Sequence, residues 1–186
     1  MITTRSALVA GTHIAQFHND NKTLTDRVCE FFATGAESGD ALIVIATPAH
    51  RADIAECLFQ RGVDLAAMAA TGRYAVMDAA ETLSRLLVAR RPSPLLFGEV
   101  VGSAISRLQP ESGRVRAFGE MVSLLWSTGD RDAAIRLEEI WNEWIGFHPL
   151  SLMCGYEFDG AMDARGFSAI AATHTDVRPP GETRPA

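Results

Sequence analysis

The chain has 186 residues, 47% of them hydrophobic and 22% charged, with a formal net charge of −6. That size suits one α/β domain, and the hydrophobic share excludes wholesale disorder. With 23 Asp and Glu against 17 Lys and Arg, and Lys22 the single lysine, no basic stripe offsets phosphate repulsion, which argues against a nucleic-acid face.

Short apolar runs alternate with helix-like stretches, the pattern of a parallel sheet covered on both faces. His13 to His18 predicts a first strand, closed by Asn19-Asp20-Asn21. A helix follows from Thr23 to Thr34, ended by Gly35 and Gly39. Ala41 to Ala46 is continuous and β-branched, hence a strand buried on both faces. Thr47-Pro48 reads as a helix N-cap and first turn, and that helix stops at Gly62. Asp64 caps a short helix through Ala70. Arg73 to Met77 predicts a strand, and Asp78 or Ala79 begins a helix through Val88.

Pro92 and Pro94 break the chain before a long amphipathic helix over Leu95 to Leu108. Val115 to Phe118 alternates, which predicts a strand with one less buried face. Met121 to Ser127 and Asp132 to Phe147 read as two helices, joined by Gly129 and an N-capping Asp130. Leu150 to Tyr156 is the last predicted strand and Phe167 to Thr173 the last helix. The organisation expected is an N-terminal segment 1–11, one domain over 12–177, and a flexible tail over 178–186.

Cys29, Cys57 and Cys154 stand far apart, without a CxxC pair, so no disulfide framework is expected and a reducing cytoplasm fits. Neither a signal peptide nor an apolar run of about 20 residues is present, so no membrane partner is expected. No GxSxG elbow supports a nucleophile, and no GxGxxG supports a dinucleotide. His13 and His18, five apart on one strand, point to opposite faces and cannot share an ion; His50, His148 and His174 stand isolated. No metal, no cofactor and no catalytic residue is assigned.

Ligands of such folds bind where strand carboxyl ends share an edge. Phe17, His18, Thr47, Glu120 and Tyr156 fall there, an aromatic and weakly polar set suited to a small, mostly apolar molecule. For Glu120 the plainer role is a first-turn carboxylate favoured by the helix dipole. Glu138 and Asn142, four apart beside an apolar helical stripe, could reach one ligand or instead orient neighbouring backbone. Lys22-Thr23 lies where a strand hands over to a helix, as in a phosphate loop, but lacks every glycine that would wrap a phosphate.

Several stretches taken together, in order, resemble the MEDS domain, the sensory domain of the DcmR-type regulators of methylotrophs and of related methanogen proteins. They are His13-Ile14-Ala15-Gln16-Phe17-His18, Thr34 to Asp40, Arg116-Ala117-Phe118-Gly119-Glu120-Met121-Val122, Leu137 to Asn142, and Leu152-Met153-Cys154-Gly155-Tyr156. The resemblance spans residues 10 to 178. It implies a three-layer, mostly parallel α/β sheet of RecA/KaiC-like P-loop NTPase topology without a functional P-loop. The implied strand order is 12–18, 150–156, 114–119, 41–47, 73–78. Loop 17–24 then occupies the Walker A position, with Lys22-Thr23 a degenerate remnant. Ala15 and His18 stand where members commonly carry Cys and Tyr.

The function implied is a non-catalytic, cytoplasmic sensory domain for a hydrocarbon-derived ligand. The length leaves no room for an output module beside it, so signalling is expected in trans, to a histidine kinase or an anti-sigma-type regulator, or through a homodimer. The alternatives are a residual nucleotide-binding switch and a structural protein–protein interaction module.

Overall fold

The computed structural model describes residues 11–158 and 164–180. The expected N-terminal segment, apart from Gly11, and the end of the expected tail lie outside the described residues. Five central strands are β1 (His13–His18), β2 (Ala41–Ala46), β3 (Tyr74–Asp78), β6 (Val115–Gly119) and β7 (Leu150–Glu157). They lie in the order β3-β2-β6-β7-β1, all parallel, which is the order that the family resemblance implies. A sixth strand, β8 (Asp176–Arg178), extends the sheet beyond β1. It ends at the residue where the sequence predicts a tail to begin. Three residues are too short for an alternating pattern to show.

Each face of the sheet has its own core. Helices α1 (Asn21–Glu37), α2 (Pro48–Gln60) and α3 (Leu65–Ala70) cover one, where Val28, Phe32, Leu42, Val44, Leu58 and Met153 pack together. On the other, α4 (Ala79–Leu86), α7 (Met121–Ser127) and α8 (Arg131–Phe147) cover Ala15, Phe17, Ile43, Ala117 and Leu152. Residues of odd and even number along β1 therefore enter different cores, as the period of two requires. Burial of β2 on both faces follows from its unbroken apolar run.

Of the caps read from the sequence, Thr47 and Asp64 are in place, each accepting a backbone N–H of the following helix; Asp20 and Asp78, not read as caps, do the same. Asp130 does not; its carboxylate takes Arg90 Nη2 at 3.2 Å instead.

Several features differ from expectation. Helix α1 passes through Gly35 to Glu37, because Gly35 leaves room for Arg116, whose Nε donates to buried Asp40 (2.7 Å) and whose Nη1 donates to the Phe31 carbonyl (2.7 Å). Helix α4 ends at Leu86 rather than Val88. There β4 (Leu87–Val88) and β5 (Arg91–Pro92) form a small hairpin around Ala89 and Arg90, both at positive φ (47° and 65°).

The expected helix over Leu95 to Leu108 is divided into α5 (Pro94–Phe97), a π turn (Gly98–Gly102) and α6 (Ser103–Ser106). Gly102 lies so close to Trp144 that an added Cβ would come within 2.2 Å of the indole. Strand β6, expected to show one less buried face, is only half-buried at Arg116 and buried elsewhere, since helices close both sides.

Candidate functional site

Two groups of polar side chains flank β1, on opposite faces. The first lies at the carboxyl edge of the sheet. Glu120 follows β6 and its carboxylate reaches back to α2, accepting the Thr47 N–H at 2.7 Å and meeting His50 Nδ1. The glutamate is thereby tied to the amino end of a neighbouring helix, where the dipole favours its charge. The Glu120 hydrogen bond raises the His50 pKa above the ordinary histidine value, against the opposing effect of burial.

His18, 5% exposed, has its Nδ1 buried without a hydrogen-bond partner among the described residues. Burial lowers its pKa, and the charged groups facing it are His50, Glu157, Glu120 and Asp20. An imidazole whose pKa burial lowers therefore stands beside one, His50, whose pKa the Glu120 hydrogen bond raises. Arg51, on α2 at this edge, donates from Nη2 to Asp78 at 3.0 Å, while its buried Nε has no hydrogen-bond partner among the described residues.

The loop at the Walker A position is occupied by its own side chains. Asp20 caps α1, accepting the Thr23 N–H and the Thr23 hydroxyl, each at 2.7 Å. Lys22 projects into solvent and pairs with Asp26 at 2.6 Å, one helical turn on. The amino end of α1, where a phosphate would sit in a working loop, is filled by a carboxylate.

The second group is interior and was not visible as a unit in the sequence. Glu138 of α8 is fully buried beneath β1 and β7. Its Oε2 lies 3.1 Å from His13 Nε2 and 3.6 Å from Cys154 Sγ, and its Oε1 lies 3.4 Å from His174 Nε2 and accepts the Tyr156 hydroxyl. Cys154 Sγ is 3.5 Å from His13 Nε2. Asn142, one turn along α8, presents Oδ1 to His13 Nδ1 at 2.9 Å and donates from Nδ2 to the Thr173 carbonyl at 2.7 Å.

Burial would push the Glu138 carboxyl up, but His13 and His174 outweigh it and hold the group well below the ordinary carboxylate range. The same burial, with Glu138 adjacent, pushes the Cys154 thiol and the Tyr156 phenol far up, so both keep their protons.

The residues selected from sequence thus separate. His18, Thr47 and Glu120 share the carboxyl edge, with His50 added to them. Glu138, Asn142 and Tyr156 belong to the interior group, with His13, Cys154 and His174 added. Phe17 also faces inward, its ring centroid 5.5 Å from that of Tyr156 and 5.0 Å from that of Phe167. Strand parity carried the signal that Phe17 and His18 diverge; nothing in the spacing carried His174 to Glu138.

The chain resembles in structure the crystal structure of a KaiC-like protein from the hyperthermophilic archaeon Pyrococcus horikoshii. The match has a TM-score of 0.64 at 16% identity and covers 95% of this chain and 75% of that one. At that identity the likeness shows a shared fold. A comparison with curated proteins gives no match. The model of the methanogen/methylotroph DcmR sensory domain matches residues 12–175, from the first residue before β1 to the threonine that precedes β8. That span takes in both polar groups and every central strand, and the chain belongs to the MEDS family of sensory domains.

Proposed function

We propose that this sensory domain is non-catalytic, that it binds a small organic molecule at the carboxyl edge of the sheet, and that it passes the signal to a separate regulatory protein. The observation that carries the reading is His18: a buried imidazole with an unpartnered Nδ1, beside the His50–Glu120 pair. An unmet buried polar atom is costly, and a ligand hydroxyl or amino group would answer it. A mostly apolar ligand with one such group suits a setting in which Arg51 is already neutralised.

Hydrolysis has no support from the loop at residues 17–24, which lacks glycine and holds Asp20 where phosphate would bind. A nucleotide reading is disfavoured for the same reason, with Lys22 turned to Asp26.

The test is a thermal-shift panel of short alcohols, amines, aldehydes and halogenated alkanes on the full chain, repeated with His18→Leu. At least one compound is expected to raise the Tm of the wild type and to lose that effect in the variant. A flat panel, or stabilisation by ATP with magnesium alone, would end the reading.

A further inference from the structure

The geometry points to a buried site for a single divalent transition-metal ion, zinc foremost, held by His13 Nε2, Glu138, Cys154 Sγ and His174 Nε2. We propose this site independently of the ligand reading above, from which the sheet itself separates it.

The first argument is spacing. The four ligand atoms all lie within 4.8 Å of one another, and three of them stand 3.1, 3.5 and 3.6 Å apart. Bond lengths of about 2.0–2.1 Å to nitrogen, 2.0–2.2 Å to oxygen and 2.3 Å to sulfur place tetrahedral ligands roughly 3.2–3.7 Å from one another. The triangle His13–Glu138–Cys154 already has that size. His174, 3.4 Å from the second carboxylate oxygen, supplies the fourth corner.

The second argument is where the protons are. Asn142 donates its amide N–H to the Thr173 carbonyl, so its Oδ1 must face His13, and His13 Nδ1 must be a donor. His174 Nδ1 faces the Ile170 carbonyl at 2.7 Å and must also be a donor. When neutral, both imidazoles are therefore held in the tautomer that turns the Nε2 lone pair inward, toward the Glu138 carboxylate. Anchoring the outer ring nitrogen on a backbone or amide oxygen is how proteins orient histidine ligands.

Two lone pairs and a carboxylate converging in a fully buried space require a cation. A proton on His13 would satisfy Glu138 at 3.1 Å. It would leave the buried His174 Nε2, which makes no close hydrogen bond among the described residues, with only a 3.4 Å approach to Glu138 Oε1, an oxygen that already accepts the Tyr156 hydroxyl. A metal ion answers both nitrogens at once. It also gives Cys154 a role, since binding releases the thiol proton and yields a thiolate ligand. Two neutral nitrogens, one thiolate and one carboxylate bring the charge of a divalent ion to zero. This mixed donor set suits zinc or cobalt rather than calcium or magnesium.

The experiment uses the purified full chain, stripped with a chelator and titrated with cobalt(II). About one cobalt per chain is expected, with thiolate-to-cobalt charge-transfer absorption in the near ultraviolet, bleached by added zinc. Cys154→Ala should abolish the charge-transfer band. His174→Gln should weaken binding at least roughly tenfold, while Cys57→Ser should leave both unchanged. Circular dichroism establishes which variants fold. If Cys154→Ala does not, the wild-type spectrum and Cys57→Ser decide alone. The site is overturned if the folded wild type binds no cobalt, or binds it without a thiolate band. A band that survives Cys154→Ala or is lost in Cys57→Ser overturns it equally.

Discussion

The two faces of β1 carry the same chemical pieces in different settings. On one, His50 and Glu120 meet near solvent, with side chains 13% and 7% exposed, and Glu120 is also tied to the Thr47 N–H. On the other, His13, His174 and Glu138 meet with side chains 0% exposed, and each partner is itself fixed by Asn142, Ile170 or Tyr156. A histidine–carboxylate pair near water can exchange its partners for solvent or for a ligand. A buried one cannot, and must be complete when the protein folds. The first arrangement suits a site that changes occupancy; the second suits a permanent part of the structure.

The comparison breaks most directly at the carboxylates. Glu138→Gln removes the charge that two buried histidines, a thiol and a phenol surround. It should cost about 3–5 kcal/mol, a fall in Tm on the order of 10 °C by scanning calorimetry. Glu120→Gln keeps an acceptor for the Thr47 N–H and should cost only about 1–2 kcal/mol. Equal losses would show that the two settings do not differ as their burial implies.

A smaller effect separates the faces by pH. The Glu120 hydrogen bond raises the folded pKa of His50, so folding favours the imidazolium. That stability is fully present below the unfolded value of about 6.5 and is lost as pH rises through the higher folded value. His18, lowered by burial, acts in the other sense: its penalty develops as pH falls below about 6.5 through its folded value. The Tm difference between wild type and His50→Gln should therefore be largest near pH 6 and vanish in alkaline buffer. A difference that grows with pH would contradict the pairing.

The smallest effect is expected at Lys22. Its pairing with Asp26 is solvent-exposed, so Lys22→Ala should leave both the melting curve and the response to ATP unchanged. A nucleotide response that Lys22→Ala abolishes would revive the phosphate-loop reading.

Much of the architecture was legible because each strand is a compact apolar run and each helix carries its own punctuation. Thr47-Pro48, Asp64 and Asp78 marked helix starts through local bonds, which depend on neighbours in sequence, whereas the cap that Asp20 makes went unread. The strand order came from the family resemblance, not from the runs themselves. The hairpin at 87–92 escaped because Ala89 and Arg90 adopt positive φ without the glycine or asparagine that signals such a turn. The π turn escaped because it answers Trp144, a residue over 40 positions away. At the carboxyl edge, fold logic selected His18, Thr47 and Glu120 but passed over His50, which lies in the first turn of α2. The interior group draws on β1, α8, β7 and the end of α9 (Ala164–Thr173), and His13 and Cys154 are 141 positions apart. No spacing rule spans such distances.

The placement of β1 also has a consequence for the order of assembly. Its neighbours in the sheet are β7 and β8, which include the last described strand of the chain. The strands β2, β3 and β6 can pair among themselves as they leave the ribosome. β1, the first described strand, has no edge to join until residues 150–157 have emerged, and its outer edge stays open until residues 176–178 follow. Such long-range closure is slow, and it leaves β1 waiting while the other central strands of the domain are made. The earliest segment of this domain to be translated is thus among the last to find its place.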